Sequence, residues 1–151
     1  MNARPHASDS SEQRDAERKI VSVLEEELGV RLHDALELTV KRGKRTVRVD
    51  LDGFHEGDRP ICVEAWAHQG RTIGSQPAKV MKDMCKLLHV EKLLGRPCRK
   101  MIVACNEEAL AFLKNSWQGQ FADEFGIERR FVQIDRATCD SVRRAQERQC
   151  R

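Results

Sequence analysis

Three segments with alternating apolar and polar residues follow one another in the first half of the chain, and they constrain the fold more than any other feature. Residues 35–40 and 46–52 flank a basic turn at 41–45, which predicts a β-hairpin. A turn rich in Gly, Asp and Pro, 53–60, then leads to a third strand at 61–68. The first half of the chain is therefore predicted to form a sheet.

Helical periodicity marks the segments on either side of these strands. Residues 15–28 and 78–94 each carry an apolar stripe and end before a glycine, which predicts two helices. Residues 99–105 predict a buried strand, 107–125 a helical segment interrupted near its single glycine, Gly119, and 130–134 a last strand. The aromatic residues of the helical segment are expected to pack within it: Trp117, Phe121 and Phe125. The order α-β-β-β-α-β-α-β predicts an α/β fold of the α+β type, a mixed sheet covered by helices.

The length and composition suit one domain. The chain has 151 residues, of which 40% are hydrophobic and 34% charged. We expect the domain to span 15–135, after a polar, aperiodic leader at 1–14 that is predicted to be disordered. Residues 136–151 are polar and Arg-rich, which predicts a tail or a surface helix. No secretory signal is present and apolar runs reach only about five residues, so we expect no membrane span and a cytoplasmic location.

The six cysteines show no closely spaced pairs. A chain of this size can form a core without disulfides, so we expect free and mostly buried thiols. Cys85 and His89 lie one helical turn apart and could ligate a metal with Cys62 and His68 as remote partners. This alternative lacks the short ligand spacings that normally mark such a site.

Charges of opposite sign are segregated along the chain, although the net charge is only +3. Residues 41–48 hold five basic groups and no acid, and residues 79–100 hold seven basic and two acidic groups. Residues 49–78 between them hold two basic and five acidic groups. A metal site in a phosphate-binding groove gives this pattern, and so does a solvated surface. The residues predicted to contact phosphates are Lys41, Arg42, Lys44, Arg45 and Lys82.

The acidic residues between the basic blocks are candidate metal ligands. Asp50 and Asp52 are expected on one face of the second strand, and Glu64 projects from the third. If these strands pair, the carboxylates of Asp52 and Glu64 can converge, and a hard cation such as Mg²⁺ requires such oxygen ligands. Alternatively, the acids between residues 50 and 58 only solvate a turn. Glu64 favours the metal, because an uncompensated charge in an apolar strand is costly.

In this element order the chain resembles the PD-(D/E)XK, or restriction-endonuclease-like, nuclease superfamily, whose core is a mixed sheet of order αβββαβ. Residues 49–53 are similar to its first acidic motif and residues 63–66 to its second. The resemblance covers about residues 15–135 in element order. It implies Mg²⁺ or Mn²⁺ as the cofactor and hydrolysis of phosphodiester bonds as the activity.

The resemblance also implies roles for individual residues. Asp52, or Asp50, and Glu64 would be metal ligands, and Glu17 would be the carboxylate that some members bring from the first helix. His68 shares a predicted strand face with Glu64 and could be a general base or a metal ligand, although a single histidine near a loop is often incidental.

The lysine of the family motif is absent, because Trp66 stands at its position. An indole cannot offer a charged donor to water or phosphate. Some members supply the lysine from the following helix, where Lys79, Lys82, Asp83 and Lys86 form one polar strip. Lys79 or Lys86 would then be the catalytic cation. Alternatively, these lysines form a solvated helix face or contact phosphates.

Together these features predict a Mg²⁺-dependent endonuclease of limited sequence specificity. The alternative is a catalytically inactive nuclease-fold protein that binds nucleic acid or a protein partner, and Trp66 is the argument for it. Nucleic acid is the expected partner, with DNA favoured over RNA. A homodimer and a subunit of a larger defence or repair system both stay open.

Overall fold

A mixed four-stranded sheet with helices on both faces forms the centre of the molecule in the computed structural model, which describes residues 10–34, 38–43 and 45–150. The side chains of residues 38–42 lie outside this description. The elements in chain order are α1 (Ser11–Leu28), β1 (Leu38–Arg42), β2 (Arg45–Val49), β3 (Gly53–His55), β4 (Ile61–Trp66), α2 (Gln76–Leu94), β5 (Arg99–Ala104), α3 (Glu107–Asn115), α4 (Trp117–Glu124), β6 (Ile127–Phe131) and α5 (Arg136–Gln149).

The central sheet has the strand order β3-β4-β5-β6. β3 runs antiparallel to β4, whereas β4, β5 and β6 are parallel, so the predicted mixed sheet is confirmed. β1 and β2 form the predicted hairpin, but as a separate two-stranded sheet. Gly43 in its turn has a φ of +61°, a conformation that tight hairpin turns require.

The boundary between the second and third predicted strands was wrong. β2 ends at Val49, so Asp50 and Asp52 lie in a connection, and part of the predicted turn at 53–60 forms β3. The strand was missed because three residues are too few to show alternation.

The two faces of β4 are buried in two different hydrophobic cores, as the alternation predicts. Ile61, Val63 and Ala65 pack with α1 and α5, whereas Cys62 and Trp66 pack with α2, α3 and α4. Residues on β5 divide in the same way, with Met101 and Val103 on the first side. Because both faces are covered, every residue of β4 is buried, including Glu64.

The two ends of the described chain pack against each other. α1 begins at Ser11, four residues before the predicted start, because Ser10 and Gln13 form a capping box. Residues 1–9 of the predicted leader lie outside the described residues. The C-terminal segment, predicted as a tail or surface helix, forms α5, and Val142 and Ala145 of α5 are buried in contact with the core and with α1.

The helical segment after β5 breaks at Ser116 and not at Gly119. The Ser116 hydroxyl donates to the Phe112 carbonyl oxygen (2.5 Å) and accepts from the Gly119 N–H (3.2 Å), so one residue ends α3 and begins α4. β6 follows at 127–131, three residues earlier than predicted. Phe125 packs on Phe121 as predicted, with ring centroids 4.4 Å apart, although it is 48% exposed. Trp117 does not pack as predicted, because it is 63% exposed.

Gly119→Ala is expected to destabilise the protein by about 1–3 kcal/mol. A Cβ at this position would lie 2.5 Å from the carbonyl oxygen of Leu113 and 2.7 Å from that of Lys114, and backbone atoms cannot move aside cheaply. Urea unfolding of the variant measures the loss. Gln120→Ala, exposed on the same helix, is the control and should stay within about 0.5 kcal/mol of the wild type. Equal stability of both variants would contradict the close packing at Gly119.

All six cysteines are free, as expected, and Cys62, Cys98 and Cys105 are buried. Burial raises the pKa of the Cys62 and Cys105 thiols to about 12, so they stay protonated at neutral pH. Among the described residues, no group of three or more His, Cys, Asp or Glu side chains is arranged to hold a metal ion, which excludes the proposed Cys and His cluster there. No helix in the described ranges is long and apolar enough to cross a membrane.

Candidate active site

A buried acid at the centre of the sheet is the starting point of the candidate site. Glu64 is 3% exposed and lies between β3 and β5, with Ile102 as its register partner on β5. Its strand face is the one shared with Cys62 and Trp66, so its carboxylate points into the layer that α2 covers. The groups that solvate this carboxylate must therefore come from the protein or from a ligand.

Asp52 lies next to Glu64 because of a hydrogen bond to the neighbouring strand. Its Oδ2 accepts from the backbone N–H of Ala65 (2.8 Å), one residue after Glu64. A hydrogen bond with Asp52 and the Asp52 charge both act on the Glu64 carboxyl and raise its pKa. The structure thus brings Asp52 and Glu64 together, as the sequence predicted. The strand that pairs with β4 is β3, directly after Asp52, and not the predicted strand at 46–52.

Asp83 is a third acid at this site, and the sequence analysis did not single it out as a site residue. It lies on α2, is 8% exposed, and its charge also acts on Glu64. Burial raises the pKa of Asp83 to about 6, although Lys86 and Lys79 oppose the shift. A signal was present, because Asp83 interrupts the apolar helical repeat of Val80, Met84 and Leu87.

Lys86 brings a cation from α2 into contact with Glu64, whose own strand carries Trp66 at the motif position of the lysine. Its Nζ lies 2.6 Å from Glu64 Oε1, and the side chain is largely buried. Burial by itself would lower the pKa of Lys86, but the Glu64 charge and a hydrogen bond with Glu64 outweigh it, so the pKa is raised. Lys86 therefore stays protonated next to the buried acids.

Negative charge exceeds positive charge at this site. Burial, followed by the charges of Asp52 and Asp83, raises the pKa of Glu64 to about 10, and Lys86 compensates only in part. A buried carboxylate in this position is relieved either by a proton or by a bound cation. The raised pKa means that the Glu64 carboxyl group holds a proton at neutral pH.

Lys79 and Glu17 form a pair with each other beside the cluster. Lys79 Nζ lies 3.6 Å from Glu17 Oε1, which joins α2 to α1. The Lys79 charge acts on Asp83 and on His68, so the lysine is near both groups. Of the two lysines considered as the catalytic cation, Lys86 is thus the one in contact with Glu64.

Trp66 and His68 form a stacked pair at the end of β4. The rings are 5.6 Å apart at 13°, and the Trp66 Nε1–H donates to Gln76 Oε1 (2.9 Å) at the start of α2. His68 Nε2 lies 2.8 Å from the Arg71 carbonyl oxygen, and burial lowers the pKa of the imidazole. Trp66 therefore fills the core, and His68 is neutral at pH 7 and held by the loop that follows β4.

The remaining predicted residues lie around the cluster or outside the described part. Asp50 is exposed in the β2–β3 connection, whereas Asp52 carries the contact to β4. Lys82 is exposed on α2, and its charge acts on Asp83. Arg45 is exposed at the start of β2. The side chains of Lys41 and Arg42, and the whole of Lys44, lie outside the described residues, but β1 itself contacts α2.

Two solved structures have a similar arrangement of elements. One is an XisH family protein from Nostoc punctiforme PCC 73102, with a TM-score of 0.56, and the other is an fdxN element excision controlling factor protein from Anabaena variabilis, with a TM-score of 0.52. Each is 15% identical to this chain, and each alignment covers 80% of this chain and 92% of the other. This chain therefore shares its overall fold with these two proteins. No family model and no curated protein matches the chain.

The XisH-like fold agrees with the architecture that the resemblance implied. At 15% identity the similarity extends to the fold and not to individual residues or to activity. The chemistry must therefore be argued from the cluster of Asp52, Glu64, Asp83 and Lys86 itself.

Proposed function

We propose that the protein is a metal-dependent endonuclease that hydrolyses phosphodiester bonds of DNA with limited sequence specificity. The contact of Lys86 with Glu64, beside Asp52, is the observation that carries the proposal. It supplies a cation that Trp66 cannot provide, next to two acids of a fold that resembles nucleases. Without that lysine the acids would lack a group to act on the reacting phosphate.

Mg²⁺ or Mn²⁺ fits the residues present. The acids Asp52, Glu64 and Asp83, of which Glu64 and Asp83 are buried, outnumber the contacting lysine, and hard cations bind such oxygen ligands. Asp52 and Glu64 would be the protein ligands, since the charge of Asp52 and a hydrogen bond with Asp52 both act on Glu64. The described residues hold no group of three or more such side chains, so the protein would supply only these two. Mg²⁺ commonly takes one or two carboxylates and completes its coordination with waters and substrate phosphates.

The bound cation would lower the pKa of a water molecule and offset charge on the phosphate. The side chains of this chain have separate tasks. Lys86, protonated and held at Glu64, offers its ammonium to the phosphate group as negative charge develops. Asp83 is a positioning residue, since its charge helps to keep Lys86 protonated. Glu17 and Lys79 pair beside the cluster and link α1 to α2.

DNA would be bound by the basic surface next to the cluster. The β1–β2 hairpin carries the basic block 41–48 and contacts α2, where Lys82 is exposed near Asp83. Lysine and arginine side chains at such a surface contact phosphates without reading bases. Trp66, the aromatic residue on the strand face of Glu64, is buried and cannot stack on bases. Limited sequence specificity follows from contacts made to phosphates.

Cleavage of plasmid and of single-stranded DNA tests the proposal. The purified protein should cut DNA with Mg²⁺ or Mn²⁺ and be inactive in EDTA, and a parallel RNA substrate should be cut more slowly. The Glu64→Ala variant, prepared in the same way, is the control for contaminating nucleases. Activity that survives this substitution would contradict the assignment of the site.

The same samples separate the catalytic proposal from the inactive-binder alternative, which the buried Trp66 favours. In that case the protein would bind DNA without metal, the affinity would fall steeply with salt, and no cleavage would occur in any metal. Fluorescence anisotropy of labelled DNA over a salt series measures this binding. A protein that neither cuts nor binds DNA at low salt would contradict both functions.

A further inference from the structure

The two edges of the central sheet differ in how their backbone groups are satisfied. At the β3 edge, the His33 N–H donates to the Phe54 carbonyl (2.8 Å) and the Phe54 N–H to that of His33 (3.0 Å). At the β6 edge, the described residues form backbone hydrogen bonds only toward β5. Such an open edge is a template for pairing with another strand.

The register on β5 shows which residues of β6 face outward. The Val132 N–H donates to the Ala104 carbonyl (2.9 Å), so the even-numbered residues direct their backbone groups toward β5. Along a strand, successive residues direct these groups to opposite edges. Ile127, Arg129 and Phe131 therefore direct their N–H and C=O groups to the outer edge. Arg129 and Phe131 are at least partly exposed there, whereas Ile127 is 2% exposed and must be uncovered for pairing.

We propose that β6 pairs antiparallel with β6 of a second copy of this chain, around a two-fold axis at Arg129. In this register Glu128 of each copy lies opposite Arg130 of the other, and Ile127 lies opposite Phe131. About six backbone hydrogen bonds form between the outward-facing residues. The surface is self-complementary, as a two-fold interface requires.

Charge favours this register over the neighbouring registers. A shift of two residues in one direction places Glu128 opposite Glu128, and a shift of two in the other direction places Arg130 opposite Arg130. Both are unfavourable, because like charges then lie directly opposite each other. Shifts of one residue would set outward-facing residues of one copy opposite residues of the other whose backbone groups already bond to β5. The five-residue strand therefore specifies one antiparallel pairing with itself.

The two Arg129 residues at the axis do not oppose the pairing. Each guanidinium is held inside its own copy by an ion pair with Asp123 and by donation to the carbonyl oxygens of Leu113 (3.1 Å) and Gly119 (2.9 Å). Its charge is therefore balanced, and the side chain is directed toward the α3–α4 junction. Glu128 and Arg130 point to the opposite face and are partly exposed. Within their own copy Glu128 pairs with Arg99 (2.9 Å) and Arg130 with Glu27 (3.7 Å), and the exposed side of each remains open to the second copy.

Exposed aromatic residues lie in the same part of the molecule. Four large hydrophobic side chains are exposed among the described residues, and three of them belong to β6 or to the ends of α4: Phe131, Trp117 and Phe125. Phe131 is 36% exposed, and α4 contacts β6. Aromatic residues are enriched where protein surfaces associate, so they favour a partner at this side of the sheet.

Sedimentation equilibrium of the whole chain tests this interface. The wild type should dimerise, and Arg130→Glu or Glu128→Arg should each raise the dimer dissociation constant about tenfold or more, because both copies of an attractive pair become repulsive. The double variant with both charges exchanged restores the opposite pairs and should dimerise within a few-fold of the wild type. A monomeric wild type, or a dimer that the single variants leave unchanged, would overturn the proposal.

Hydrogen exchange of the wild type provides a second measurement that needs no variant. Amides of Arg129 and Phe131 should become protected as the protein concentration rises through the dissociation constant, whereas those of Glu128 and Arg130 should not change. Concentration-independent exchange at these two outward amides would exclude the β6 edge as the interface, even if the protein is dimeric.

Discussion

Lys86→Met is expected to lower kcat for DNA cleavage by about 100-fold or more, a loss typical of removing one group that stabilises developing charge. Lys86 Nζ lies 2.6 Å from Glu64 Oε1, so methionine removes the only lysine in contact with that acid among the described residues. Methionine keeps an unbranched apolar side chain against α2 and the sheet. Single-turnover cleavage of supercoiled plasmid at saturating Mg²⁺ measures the effect on the chemical step.

Lys82→Met is the matched control for this variant. Lys82 lies on the same helix, carries the same charge and is exposed. Removal of the Lys82 charge should lower the affinity for DNA, and the affinity should fall most at low salt. The kcat at saturating DNA should change only a few-fold. Equal losses of kcat in the two variants would show that Lys86 contributes general positive charge and no specific role. Thermal unfolding of both variants separates loss of activity from loss of folding.

Lys79→Met distinguishes the two lysines that the resemblance left open. Lys79 pairs with Glu17 at 3.6 Å and is not in contact with Glu64. A loss of kcat that is larger for Lys79 than for Lys86 would mean that the helix moves on binding DNA and presents a different lysine.

The fold was predictable where the sequence carries a strong repeat. β4 and α2 show it best, because alternation in one and helical spacing in the other assign each residue to a face. The placement of Glu64 opposite the polar strip of α2 follows from these two patterns and from the βαβ connection between β4 and β5. The candidate acid and the candidate lysine could thus be named before their contact was known.

The contacts that lie between elements could not be read from the same patterns. Asp83 interrupts the apolar repeat of α2, which marks it as unusual, but only the packing of α2 over β4 places it beside Glu64. β3 is too short to show a period, yet its pairing with β4 is what brings Asp52 to Ala65. The segment of α5 is polar overall, but a few apolar residues on one side suffice to bury it against α1.

The metal-free protein is expected to lose stability as the pH rises, and Glu64→Gln should remove much of this dependence. Burial and the charges of Asp52 and Asp83 raise the pKa of Glu64 to about 10 in the folded state, above its usual value of 4.5. Between these values the folded protein holds a proton that the unfolded chain releases. The contribution of this proton to the free energy of unfolding is therefore complete below about pH 4.5 and is lost progressively as the pH rises toward 10.

The size of this effect follows from the binding of one proton. The free energy of unfolding should fall by up to about 1.4 kcal/mol per pH unit more in the wild type than in Glu64→Gln, whose amide does not titrate. Urea unfolding in EDTA between pH 5 and pH 8 measures the two slopes, and Asp50→Asn, exposed and outside the cluster, should keep the wild-type slope. Parallel curves for wild type and Glu64→Gln would mean that Lys86 keeps Glu64 ionised in the folded state. In that case the site would bind a cation without releasing a proton, and the excess of negative charge would be smaller than the buried acids indicate.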